Sequence, residues 1–231
     1  MDKEQSSILQ ITKEIYQVGG SELTSPEDAA IYLINFDGHA VLVDTGCGNR
    51  QDRLLTNIQA CGVKLEQIEY LLITHCHFDH TGGAKALKDL LHCQIVAHEL
   101  EAPFLEQGDN LVTAAKWYGA KIRPFHADHK ISGGQEEIKL GTRGIQAIHT
   151  PGHSPGSMVF LTETEGMKVL FGQDVHGPIH PDLKSNAKDY QRSLELMLSL
   201  EADILCEGHY GIYRGKKEVA VFIKQFMIKS P

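Results

Sequence analysis

The segment Thr74-His75-Cys76-His77-Phe78-Asp79-His80-Thr81-Gly82-Gly83 constrains this chain more than any other. Three histidines and an aspartate stand within six residues, in the pattern H-x-H-x-D-H. Imidazole nitrogen and carboxylate oxygen are the donors that suit zinc and related first-row divalent ions. Ordinary folding has no use for so many of them in one tight loop. The pattern predicts a metal site with room for two ions.

The flanks say how the loop is held. Ile68 to Ile73 is a short apolar run that reads as a buried strand, and it leads straight into the cluster. Ala84 to Leu91 reads as a helix, with apolar residues at helical spacing. His75 and His77 are two apart, so in extended chain both point to one side and can bind one ion. Asp79 and His80 lie past that point, where the chain turns, and can face a neighbouring ion. Cys76 points away from both histidines by the same alternation and is not expected to be a ligand.

Composition narrows the setting. The chain of 231 residues is long enough for one good core, and we expect a single domain over 1–231. Its net charge of −8, with no Lys/Arg-rich block, disfavours a nucleic-acid partner. No run approaches the ~20 apolar residues of a membrane span. Met1 to Ser7 lacks the basic and apolar regions of a signal peptide. The five cysteines are odd in number and none forms C-x-x-C, which fits a reducing compartment. A cytoplasmic location follows as the expectation.

Along the chain, Ile8 to Val18 reads as strand-like. Ala30 to Phe36 and His39 to Asp44 flank Asp37-Gly38, a hairpin signal. Asn49 to Ala60 looks helical, Cys93 to Ala97 is a short strand, and His98 to Gly119 reads as mostly helical, broken by Pro103 and Gly108. Strands are expected at 137–140, 144–149, 157–162, 168–172 and 203–206, and helices at 187–200 and 216–229. Hairpins mixed with βα units point to an α/β domain built around more than one sheet.

Three strand ends could complete the site. His153 sits in a loop stiffened by prolines and glycines, Thr150-Pro151-Gly152-His153-Ser154-Pro155-Gly156, after the strand 144–149. Asp174 follows the strand 168–172, and Gly208-His209 follows the strand 203–206.

With these residues assembled, the chain resembles the metallo-β-lactamase superfamily. The resemblance rests on T-H-x-H-x-D-H-x-G-G, on T-P-G-H-S-P-G-S from Thr150, on the strand-terminal Asp174 and Gly208-His209, and on Asp44-Thr45-Gly46. It covers the chain from about Ile11 to Tyr210. It implies a four-layer α-β-β-α sandwich with the site at one edge, between the sheets. It also implies that His75, His77 and His153 hold a first metal, that Asp79, His80 and His209 hold a second, and that Asp174 bridges them. That set is similar to that of glyoxalase II-like hydrolases. Two divalent ions are implied, zinc first, with iron or manganese as alternatives. Asp44 looks like the residue that orients a metal-binding histidine.

Two metals can share one water and make it hydroxide near neutral pH, so the expected reaction is hydrolysis of a small ester, thioester or lactone. Asp79 is the candidate to orient that nucleophile or carry its proton. His176 and Tyr210 are candidates for touching substrate or metal, with Tyr190 and Tyr213 as further phenols and His126, His129 and His180 as lesser candidates. Alternatives are an acyl-homoserine lactonase, a nuclease or phosphodiesterase, and an iron-dependent sulfur dioxygenase. True β-lactamases use Cys or no residue where this chain has Asp174, so that activity is not expected. Glutathione thioesters are not expected either, since only one helix's worth of chain follows His209. The segment Glu99 to Tyr118 is expected to cover a small-molecule pocket or to serve as a homodimer surface.

Overall fold

Several strands of this chain are apolar at nearly every position, as strands buried on both faces tend to be. In β3 (Ile31–Phe36), Tyr32, Ile34 and Phe36 face one core, while Ile31 and Leu33 face another. The same division recurs in β4 (His39–Val43), where Val41 and Val43 oppose Ala40 and Leu42. A strand clothed on both sides requires a layered architecture. The computed structural model, which describes residues 8–172 and 174–227, shows four layers.

One sheet has seven strands in sequence order. They are β1 (Leu9–Gln10), β2 (Ile15–Gly19), β3, β4, β5 (Ile68–Leu72), β6 (Gln94–His98) and β7 (His129–Ile131). The first four pair antiparallel, and β4 to β7 pair parallel. The second sheet has six strands: β8 (Gln135–Leu140), β9 (Arg143–His149), β10 (Met158–Thr164), β11 (Met167–Phe171), β12 (Ile204–Cys206) and β13 (Ile212–Arg214). Its pairs are antiparallel except β11 with β12. Among the described residues, the α-helices are α1 (Gln51–Ala60), α2 (Phe78–Thr81), α3 (Ala84–Leu91), α4 (Ala102–Gln107), α5 (Ala187–Ser199) and α6 (Lys216–Lys224).

The inner core lies between the sheets, where Ile34, Phe36, Val41 and Leu72 meet Ile145, Met158, Phe160 and Phe171. The outer face of the first sheet is covered by Leu54 and Ile58 of α1 and by Leu87 and Leu91 of α3. That of the second is covered by Leu194 and Met197 of α5 and by Val219 and Phe222 of α6. This is the expected α-β-β-α sandwich. Phe160 is fully buried between the sheets, and Phe160→Ala should cost about 3–5 kcal/mol. Urea denaturation checks it as a fall in midpoint with an unchanged m value.

Local chemistry explains most boundaries. Asp37 and Gly38 both have positive φ, 52° and 91°, the hairpin geometry that lets β3 turn into β4. Asn186 starts α5 by accepting bonds from Lys188 N and Asp189 N at 3.0 and 3.1 Å.

Some expectations need correction. The strand-like run Ile8 to Val18 is two strands, split where Ile11 N and Thr12 N both bond Ile15 O. The helical reading of His98 to Gly119 reduces to α4 and a short 3-10 turn, Ala115–Tyr118. Past Gly108, the Asp109 carboxylate accepts bonds from Leu111 N and Val112 N instead of letting a helix resume. Strands β7 and β13, three residues each, are too short to show a period. The closing helix ends at Lys224, and residues 228 and 229 of its expected span lie outside the described residues, as does the expectation for Met1 to Ser7. Among the described residues, no helix is long and apolar enough to cross a membrane.

Candidate metal centre

The motif loop begins where β5 ends. The chain then bends at Thr74 and Cys76, and His77, itself extended (φ −65°, ψ 148°), is the cap from which α2 starts. This switch from extended to helical backbone sends Asp79 and His80 to a different side from His75 and His77. Gly82 lets the motif pack on the Asp44–Cys47 turn, because a Cβ there would stand 2.5 Å from Cys47 O. Thr45 closes the contact, its N and Oγ1 both donating to His80 O at 2.8 Å.

Asp44 ties β4 to the motif. Its Oδ1 accepts from Thr74 N at 2.9 Å, and its Oδ2 accepts from Thr74 Oγ1 and faces His80 Nδ1, each at 2.7 Å. With Nδ1 so engaged, His80 presents Nε2 to the site. His153 is oriented the same way, since its Nδ1 donates to Pro178 O at 2.9 Å.

Seven side chains converge as two groups. In the first, His75 Nε2 lies 2.9 Å from His77 Nδ1 and 3.2 Å from His153 Nε2. In the second, His209 Nε2 lies 3.0 Å from Asp79 Oδ2, and His80 Nε2 lies 3.6 Å from that oxygen. Asp174 joins both. Its Oδ2 is 3.4 Å from His153 Nε2, while its Oδ1 is 3.0 Å from His80 Nε2 and 3.4 Å from His209 Nε2. Within each group the donor atoms lie within 4.8 Å of one another. A tetrahedral ion with ~2.0–2.1 Å bonds would space its ligands ~3.3 Å apart, so both groups have the right size for zinc. His77 Nε2, His80 Nε2 and Asp174 Oδ1 are buried without a hydrogen-bond partner. Buried polar atoms left this way are costly. At His80 and Asp174 the unpaired atoms face each other across the second group, where a cation would satisfy both.

The electrostatics divide the histidines. Burial, reinforced by neighbouring histidines, holds His75 and His77 well below the usual imidazole range. Burial opposes the charged form of His80 too, but Asp174, Asp79 and Asp44 outweigh it and lift it well above that range. His209 is lifted to about 10, burial being outweighed by Asp174 and Asp79. Asp174 is held well below the usual carboxylate range, because His80 and His209 overcome its own burial. Near neutral pH His80 and His209 are therefore held in the charged form, and His75 and His77 in the neutral form. A divalent ion would displace one proton from each of the charged pair, so its affinity at the second group should rise with pH up to about 10. Calorimetry in buffers of different ionisation enthalpy checks this, with about two protons released on filling the second group.

The other sequence candidates fall as follows. His176 Nδ1 bonds buried Glu207 Oε1 at 2.9 Å, and its ring meets His209 edge-on at 5.3 Å and Tyr210 at 4.8 Å. Tyr210 is 60% exposed. Tyr190 packs, with its hydroxyl donating to Val175 O. Tyr213 donates to Tyr210 O at 3.1 Å. His126 and His129 are engaged by Glu106 and Glu136 at the surface, and His180 lies against the edge of Trp117. Cys76 belongs to neither donor group.

Three residues escaped sequence reasoning. Glu207 accepts bonds from His209 N and Tyr210 N, both at 2.7 Å, and so fixes the loop that carries His209. Burial, with the nearby Asp79 carboxylate as the next cause, pushes the Tyr118 phenol up. Glu101 binds the backbone beside the first group. Only Glu207 had a signal, its place next to Gly208-His209. A cleft of about 490 Å³ opens beside His209, walled by Gln17, Ser21, Glu22, Asp28 and Tyr210.

The sequence profile described as the metallo-beta-lactamase superfamily matches residues 25–209. An acyl-coenzyme A thioesterase of Gallus gallus is 27% identical over 241 aligned residues, covering 92% of this chain and 80% of the relative. An N-acyl homoserine lactonase of Bacillus cereus is 31% identical over 115 residues, covering 50% of this chain and 41% of the relative. Several curated relatives are matched over only 38–57% of their own length. Among solved structures, a metallo-beta-lactamase of Cronobacter sakazakii superposes with a TM-score of 0.80 at 20% identity, covering 95% of this chain and 93% of that one. That likeness is one of fold.

Proposed function

The chain belongs to the metallo-β-lactamase superfamily of hydrolases, and on that premise we propose that it is a dinuclear enzyme cleaving acyl thioesters. The observation that carries this reading is the pair of donor groups sharing Asp174, one oxygen to each. His75, His77 and His153 would hold one divalent ion, Asp79, His80 and His209 the other, with zinc the best fit to the donors. Bound there, two cations would supply Lewis-acid polarisation of a substrate oxygen and acidify a water.

The chain's own side chains do the rest. Asp79, buried and held ionised against His80 and His209, is the carboxylate placed to orient the attacking water and receive its proton. Trp117, Tyr118, Ile179 and Tyr210 are exposed, with Trp117 against His180 and Tyr210 against His176. Exposed aromatic surface of this kind suits an acyl chain better than a polyanion. The thioesterase relative supports the thioester because it aligns with nearly the whole chain. The lactonase relative favours a second reading, a lactone opened by the same attack on an acyl carbonyl.

A panel run on zinc-loaded protein tests the choice. Acyl-coenzyme A thioesters should give kcat/KM of about 10⁴ M⁻¹s⁻¹ or more, and a phosphodiester at least about 100-fold less. Preference for the phosphodiester would overturn the reading. Metal analysis showing a single iron per chain would shift it to oxygen chemistry.

A further inference from the structure

Glu101 caps the start of α4 and is only 1% exposed. A buried carboxylate is expensive unless fully hydrogen-bonded. This one is satisfied by two loops far apart in sequence. Its Oε2 accepts from Cys76 N at 2.6 Å. Its Oε1 accepts from Gly156 N at 2.6 Å and from Ser154 Oγ at 2.9 Å. Cys76 lies between His75 and His77, and Ser154 follows His153. One carboxylate thus joins the backbone between His75 and His77 to the loop that carries His153.

The grip is rigid at both ends. Phe104 N and Leu105 N bond Glu101 O as α4 begins, which anchors the residue to that helix. Ser154 Oγ also contacts Ser157 Oγ at 2.8 Å, and Ser154 N bonds Ser157 Oγ at 3.0 Å, so the His153 loop moves as a unit. Gly156 fits only because it lacks a side chain, since a Cβ would stand 2.8 Å from Glu101 Cγ. The second donor group has its own clamp in Glu207. Asp44, by contrast, reaches both groups, through Thr74 beside His75 and through His80.

We infer that Glu101 is the positioning residue of the first metal site, joining the loops that carry His75, His77 and His153 so that their nitrogens converge. The inference rests on the metal-binding reading above. It predicts a selective loss, because a partner behind the ligands tunes affinity by about 10–100-fold. A residue that served stability alone would lower the melting temperature and leave the zinc affinities of the folded protein as they were.

The experiment is zinc titration against a chromophoric chelator, with wild type and Glu101→Gln both shown folded by circular dichroism. We expect one of the two ions to bind about 10–100-fold more weakly in Glu101→Gln, and the other to stay within about threefold. Two unchanged affinities, or equal weakening at both sites, would overturn the inference while leaving the metal reading intact. Wild-type protein that binds no zinc would sink the metal reading and this inference with it. Should Glu101→Gln fail to fold, Ser154→Ala decides, since it removes one of the three donors. Weakening of about three- to tenfold at a single site supports the clamp, and unchanged affinities overturn it.

Discussion

Asp174→Asn is expected to lower kcat/KM by about 10³-fold or more while leaving the fold in place. Each oxygen of Asp174 faces a different donor group, so this one side chain sets the relation between them. An amide of the same shape offers one oxygen and one NH2, and the NH2 end would repel a cation. A loss of 10³ corresponds to about 4 kcal/mol of transition-state stabilisation, which is reasonable for removing a shared ligand. Zinc content measured on the same preparation should fall below two per chain. Full activity with full metal content would show that Asp174 does not hold the two groups together.

The same substitution should change how metal-free protein responds to pH. Asp174 is depressed below 3.8, so its contribution to stability is present above about pH 4 and is lost as pH falls. His209 is raised from 6.5 to about 10, so its contribution is full below about pH 6.5 and is lost as pH rises toward 10. The stability deficit of Asp174→Asn should therefore be greatest between about pH 4 and 6.5 and fade toward pH 10. Denaturation curves in chelator across that range would show it.

Gly152→Ala should be the most destabilising single-methyl change in the loop that carries His153. Gly152 has φ +137°, a conformation L side chains rarely adopt, and an added Cβ would stand 2.2 Å from Tyr190 N and 2.3 Å from Tyr190 Cα. The obstacle is the backbone of α5, which no side-chain rotation can move. Gly152 O also accepts from Asn186 N at 2.8 Å, just where α5 is capped. Strain at positive φ and the backbone clash together should cost about 3–5 kcal/mol. At ~2–4 °C per kcal/mol for a chain of this size, the melting temperature should fall by about 10 °C. Because the loop must shift, His153 moves with it, and zinc should bind the first group at least about tenfold more weakly. A melting temperature within about 2 °C of wild type would refute the packing described for this loop.

The parts of the site written in adjacent residues were legible without a structure. His75 and His77 fall in one donor group, as their spacing led us to expect, and Asp79 and His80 in the other, past the helix start at Phe78. The strands flanking Asp37-Gly38 were legible for the same reason, since turn chemistry is local, and α5 was legible from its amphipathic pattern. The segment after His98 was misread because Asp109 and Gly108 stop α4 by side-chain and backbone bonds that outweigh helical composition. Glu101 and Glu207 were illegible as clamps. Either could stand on a surface, and only packing from distant segments makes it a buried acceptor of amide hydrogens.

The sequence by itself determined which donors are present: imidazoles and carboxylates in numbers and spacings that suit divalent metal, on strand ends of a layered α/β chain. Those are covalent and local facts. Only the tertiary structure decided that His153, Asp174 and His209 meet the motif loop, and that Glu101 and Glu207 hold the two halves of the centre. It also decided that chemically identical histidines carry different charge, with His75 and His77 neutral and His80 and His209 protonated. Charge state depends on distance to Asp44, Asp79 and Asp174 inside a medium that screens little. Those distances are set by which strands and helices pack together, and spacing along the chain carries no record of them.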